Sequence, residues 1–165
     1  MRTVVPIAIL AMALAFIPIA RAGQAGQMTP APLPTQIHVG KKVFISNAGS
    51  EDRLFPGIFS GQPDRTYNQL YAAVKNWGRY ELVLTPAEAD LVFEVRFVAP
   101  VGGVVIMNGG GGSTLDPQLR LEIQDPKTHT VLWGFIEHVQ PGTAVGKNLD
   151  QAMTGLVSEV KRIAG

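Results

Sequence analysis

Residues 88–97 read Glu-Ala-Asp-Leu-Val-Phe-Glu-Val-Arg-Phe, and this stretch limits the fold more than any other. Leu91, Phe93, Val95 and Phe97 alternate with Val92, Glu94, Arg96 and Val98, which is the two-residue period of a strand. One face is wholly apolar, and the other holds a charged pair in its middle. A strand buried on both faces has no place for Glu94 and Arg96, so the sheet it joins has one face under helices and one partly wet.

The rest of the chain supplies the partners. Val43 to Ile45, ended by Ser-Asn-Ala-Gly, reads as a first strand. Residues 49–64 then form a loop held to the core by Leu54, Phe55, Ile58 and Phe59. Tyr67, Leu70, Tyr71, Val74 and Trp77 follow helical spacing up to Gly78, a residue suited to a left-handed C-terminal cap. Thr85, Pro86 and Glu88 carry the capping-box pattern of a single short turn. Leu119, Leu121 and Ile123, the turn Asp-Pro-Lys-Thr, and then Val131, Trp133 and Phe135 give the clearest hairpin. A last helix, capped by Asn148 or Gln151, keeps Leu149, Ala152, Met153, Leu156, Val160 and Ile163 on one face. The expected fold is α+β: a mostly antiparallel sheet of four to five strands with two main helices on one face.

Ahead of this domain, residues 1–22 have the build of a signal peptide. Arg2 precedes an apolar run from Val4 to Ala20, and Ala20-Arg21-Ala22 offers small side chains where a peptidase cuts. The run is close to the shortest that spans a bilayer, about 17 residues, but Pro6 and Pro18 shorten its usable helix, so cleavage after Ala22 is expected over retention as an anchor. The chain has no cysteine, which excludes a lipid-bearing N-terminal cysteine, disulfides and thiol chemistry. Residues 23–40 read as a Pro-rich flexible linker, and residues 41–165 as a single α+β domain. Without residues 1–22 the basic count falls from 14 to 12 against 13 acidic residues, and the formal charge moves from +1 to −1. A periplasmic or secreted protein with so little charge has no footprint for nucleic acid, and no membrane span is expected once the signal is removed.

Reactive motifs are sparse. The run Asn-Gly-Gly-Gly-Gly-Ser-Thr at 108–114 lacks the lysine and the following helix of a phosphate loop. His38, His129 and His138 have no metal-ligand spacing, and Gly-x-Ser-x-Gly is absent. No catalytic residue, metal site or cofactor is therefore expected. Two features keep other readings open. Val104, Val105, Ile106 and Met107 lie between glycine pairs, either as a strand or as the apolar tip of a glycine-rich loop that docks on a partner or a membrane. Asp90, Glu94 and Asp125, with His138, are the carboxylates and base that a small hydrolase or carbohydrate-active domain would need to bring together.

Lys41–Gly49, Tyr67–Leu82, Pro86–Phe97 and Leu121–Phe135 together resemble a group of uncharacterised exported bacterial α+β proteins. The shared pattern is a first strand, a Tyr-rich helix ending in Gly-Arg-Tyr, an Ala-Asp-Leu-Val strand and an Asp-x-x-Thr…Leu-Trp hairpin. The order of elements is also similar to envelope assembly modules: the N-terminal domain of the Tol propeller protein, the curli secretion lipoprotein and the lipoprotein activators of peptidoglycan synthases. The resemblance implies a non-enzymatic binding or assembly module. Its partner would be an envelope or extracellular protein or polymer, with homo-oligomers possible.

Overall fold

The computed structural model describes residues 31–51, 62–107, 110–140 and 145–165. Residues 1–22, expected to be a signal peptide, and the apolar residues Leu54, Phe55, Ile58 and Phe59 of the expected loop lie outside these. The folded unit runs from Pro32 to Gly165. Its elements are α1 (Thr35–Val39), β1 (Lys42–Ser50), α2 (Arg65–Trp77), β2 (Glu81–Leu82), a single 3-10 turn (Pro86–Glu88), β3 (Leu91–Val98), β4 (Val101–Met107), β5 (Gly110–Leu115), β6 (Gln118–Gln124), β7 (Val131–His138) and α3 (Val145–Ala164).

Five strands form one sheet in the order β2-β1-β3-β6-β7, and β4 and β5 form a second, two-stranded sheet. The α+β class holds, but the main sheet is mixed instead of mostly antiparallel. β1 runs parallel to both β2 and β3, whereas β3–β6 and β6–β7 are antiparallel. The cause is α2, which carries the chain back to the end where β1 began before β2 and β3 start.

Val43, Ile45, Leu91, Phe93, Val95, Phe97, Leu119, Leu121 and Ile123 point to one side and are all buried there with α2 and α3. α2 gives Leu70 and Val74 to this core, and α3 gives Leu149, Met153, Leu156 and Val160. Each such side chain contributes about 1.5–3 kcal/mol by leaving water, which fixes both helices to this face. Arg65 Nη2 meets Asp150 Oδ1 at 2.7 Å, and Gln69 Nε2 donates to the same oxygen at 2.6 Å, tying the two helices at their N-terminal ends.

The motifs behind the resemblance turn out to be architectural. Gly78 has φ 71° and closes α2 by donating to Val74 O. Arg79 donates to His38 O at 2.7 Å. Tyr80 stacks edge-on between Trp77 and Phe93, with ring centroids 5.3 and 5.5 Å away. Asp90 Oδ2 accepts the backbone N–H groups of Lys41 and Lys42, both at 2.9 Å, and so pins the start of β1 to the start of β3. Asp125 Oδ1 accepts the N–H groups of Lys127 and Thr128, shaping the β6–β7 turn.

Four local expectations need correction. Part of the stretch expected to be linker is α1, whose Ile37 is fully buried against the core, because one apolar side chain at the right place outweighs the flanking prolines. Thr85 makes no side-chain capping bond, so its turn is held by backbone bonds alone. α3 is already formed at Val145, three residues before Asn148, whose side chain instead donates to Gln140 O at 2.6 Å. Val131 does not share a face with Trp133. A register shift pairs Trp133 with Ile123 but Val131 with Gln124, and Val131 is 50% exposed.

Candidate functional site

β4 and β5 are continuations of the two central strands. β3 passes through Ala99-Pro100 into β4, and β5 returns through Asp116-Pro117 into β6, so one long hairpin is interrupted by two prolines on facing connections. Proline supplies no backbone N–H, and the ladder lapses there. Asp116 N bridges the gap by donating to Pro100 O at 2.9 Å. Beyond it, β4 and β5 pair only with each other among the described residues.

Val104–Met107, one of whose two readings was a loop tip, are therefore part of a strand. Their partners are Ser113, Gly112, Gly111 and Gly110. Three of those four rungs have no side chain on one member. From Val101 to Leu115 no residue is charged, and Val101 and Leu115 at the base are 64% and 38% exposed.

The root of this arm is gripped from both sides. Glu51 Oε2 accepts the Ala99 N–H at 2.6 Å, linking the end of β1 to the outgoing strand. On the returning side Asp116 Oδ1 meets His138 Nδ1 at 2.8 Å, and Asp116 Oδ2 accepts from Gln118 Nε2 at 2.5 Å. The His138 bond, then the Gln118 bond, hold the Asp116 carboxyl below its ordinary pKa. Gly102 leaves room for this, since a Cβ there would lie 3.0 Å from the Asp116 Cβ.

The carboxylates and base of the hydrolase reading fall in three places. Asp90 and Asp125 line one cavity of about 250 Å³ together with Gln36, Lys41 and Lys127. Both have lowered pKa values, and in both the first causes are the backbone N–H groups they accept. Neither keeps a proton at neutral pH, so this pair contains no general acid. Glu94 lies on the other, open face of the sheet, and His138 sits at the arm root. Of the other histidines, His38 offers its carbonyl to Arg79, and His129 occupies a left-handed turn position at φ 57°. Among the described residues no three potential metal ligands cluster, and no helix is long and apolar enough to cross a membrane.

The open face shows a pattern that the sequence did not announce. The β3–β6 register sets Glu94 opposite Glu122 and Arg96 opposite Arg120. Like charges on facing positions destabilise a sheet. One diagonal is relieved, as Arg96 Nη2 meets Glu122 Oε1 at 2.6 Å. Along the other, the Glu94 carboxylate has no hydrogen-bond or ion-pair partner among the described residues, and Arg120 donates through Nε and Nη2 to the amide oxygen of Gln118. The alternation in Leu119–Gln124 gave the face of Arg120 and Glu122, but nothing local gave the register.

No protein-family model matches the chain. No curated protein matches it either. Among solved structures it is similar to a PelC dodecamer from Paraburkholderia phytofirmans, at 13% identity and TM-score 0.45 over 80% of this chain and 95% of that one. It is also similar to a DUF330 protein from Xanthomonas campestris, at 15% identity and TM-score 0.45 over 76% and 83% of the two chains. A third is uncharacterized lipoprotein B from Nitrosomonas europaea, at 9% identity and TM-score 0.40 over 82% and 91%. All three are bacterial proteins. With TM-scores below 0.5, these likenesses assign neither a family nor an activity.

Proposed function

We propose that the chain is an exported, non-enzymatic binding or assembly module of the bacterial envelope, and that its contact is the β4–β5 arm. The observation that supports this is the arm's construction: two central strands run on beyond the sheet into a hairpin that has no charge and whose outer edges are unpaired among the described residues. Natural edge strands usually carry charge, proline or a bulge that discourages pairing. β7 has such guards in the shift at Leu132 and in Glu137, whose carboxylate faces Gly155 of α3. The arm has one such shift at its base, between Val101 and Gly103, but no charge and no proline beyond it. A hairpin of two strands is also marginal in water and gains from a further strand. The arm is thus built to accept an extended segment of an envelope or extracellular protein or polymer.

The test replaces residues 102–113 by an Asn-Gly turn in the full chain and compares photocrosslinking from Val105 with crosslinking from exposed Leu84 in the native envelope fraction. The melting temperature of the shortened protein should stay within about 3 °C, and one adduct should appear from Val105 alone. Equal adducts from both positions, or a shortened protein that still captures the same partner, would refute the arm as the contact.

A further inference from the structure

The joint between the main sheet and the arm is built unlike the ladder on either side of it. The β3–β6 register, which ends at Val98 and Gln118, resumes unchanged at Val101 and Leu115, so the two intervening rungs are Ala99 with Pro117 and Pro100 with Asp116. Each rung has one proline. On the sheet side of the joint the bonds point outward, from the Ala99 N–H to Glu51 Oε2 and from the Val139 N–H to Pro117 O at 2.7 Å. On the arm side, Pro100 and Asp116 share the Asp116 N–H bond alone, because proline returns none. A short connection with so little of the ladder left is where a chain can absorb a rotation.

One side chain reaches back across this joint. Asp116 belongs to the arm-side rung, and its carboxylate takes bonds from His138 Nδ1 and Gln118 Nε2, both in the main sheet. Among the described residues no other side-chain hydrogen bond or ion pair ties the arm to the sheet. His138 stands opposite Gln118, on the open face with Arg120 and Glu122. A tie on that face resists bending toward the helices. We propose that the arm turns as one body on this joint, and that the Asp116–His138 bond is the latch that keeps it in line with the sheet. His138 is a positioning residue for the arm: it holds the edges of β4 and β5 in one direction, so that a partner strand meets them already ordered. This deepens the reading of the arm as the contact and rests on it.

The full chain has no cysteine, so spin labels can be set on cysteines placed at Ser113 of the arm and Gln151 of α3, both exposed. Pulsed dipolar distance measurements should give one main peak for the chain with His138. His138→Ala should raise the fraction of molecules outside that peak by about three- to tenfold, the net worth of one hydrogen bond, and the new distances should be shorter. His138→Asn, whose Nδ2 stands where the imidazole Nδ1 stood, should keep the original distribution. All three should melt within about 3 °C of one another, because the pair is at the surface, its side chains 60% and 33% exposed. An unchanged distribution in His138→Ala, a shift to longer distances, or a His138→Asn chain as broad as His138→Ala would each overturn the latch. So would a chain with His138 that shows no main peak. The measurement involves no partner, so its failure is distinct from failure of the crosslinking that tests the arm as the contact.

Discussion

Phe93→Ala tests the sidedness of the sheet at its centre. Phe93 lies in the middle of β3, is fully buried, and meets Tyr80 edge-on at 5.5 Å. Truncating a buried Phe to Ala costs about 3–5 kcal/mol, and roughly 0.5–1.5 of that is the lost aromatic pair. α2, α3 and three strands surround the site, so collapse around the void is hindered and the upper half of the range, about 4–5 kcal/mol, is expected. A domain of this kind has only about 5–15 kcal/mol to lose. Urea unfolding followed by fluorescence of Trp77 and Trp133 should show a much lower midpoint with an unchanged slope, and the melting temperature should fall by roughly 10–20 °C. Leu84→Ala, at a residue 86% exposed, should stay within about 0.5 kcal/mol of wild type. A Phe93→Ala loss below about 2 kcal/mol at constant slope would mean that the helices do not close over this face as described.

Tyr80→Phe should be neutral or slightly stabilising in the same urea assay: the Tyr80 hydroxyl lies buried without an acceptor of good geometry, and burial is the main cause raising its pKa. Gly155→Ala should stabilise α3 by about 0.5–1 kcal/mol, read as a higher melting temperature, because the new Cβ meets only the end of the flexible Glu137 side chain at 3.2–3.3 Å. Acid should weaken the fold in a defined direction. The pKa values of Asp90 and Asp125 are lowered chiefly by backbone N–H groups, and that of Asp116 by His138, so the native state binds fewer protons than the unfolded chain. Stability present above the ordinary carboxylate value of about 3.9 is then lost as pH falls through and below it. Asp90→Asn should flatten that part of the stability–pH curve, measured by urea titration at each pH.

Much of the fold was legible because its signals are local. α2 was given by Tyr67 to Trp77 and ended where Gly78 permits a left-handed turn. The β6–β7 hairpin followed from Asp125 and the alternating residues around it, and the α+β class from the charged pair in β3. What stayed hidden depends on separations that local pattern does not reach. The parallel placement of β1 results from where α2 delivers the chain. The burial of Ile37 needs α3, which is more than a hundred residues further on. Val104–Met107 could not be settled as strand or loop, because three of their four partners are glycines, and glycine carries no strand signal of its own. The opposition of Glu94 to Glu122 required a register that no single stretch contains. Asp116 as a partner for His138 was hidden in the same way, since the two meet only once β5, β6 and β7 are in place.

The first strand of this sheet is one of the last that can be completed. β1 lies between two strands that follow it, and neither can reach it until the 13-residue α2 has reversed the chain. Pairings of wide sequence separation slow folding, whereas a hairpin with a short turn closes in microseconds. Ile45 and Ile123, buried in the same core, should therefore leave different kinetic traces: truncation at Ile45 acts mainly by speeding unfolding, and truncation at Ile123 by slowing folding.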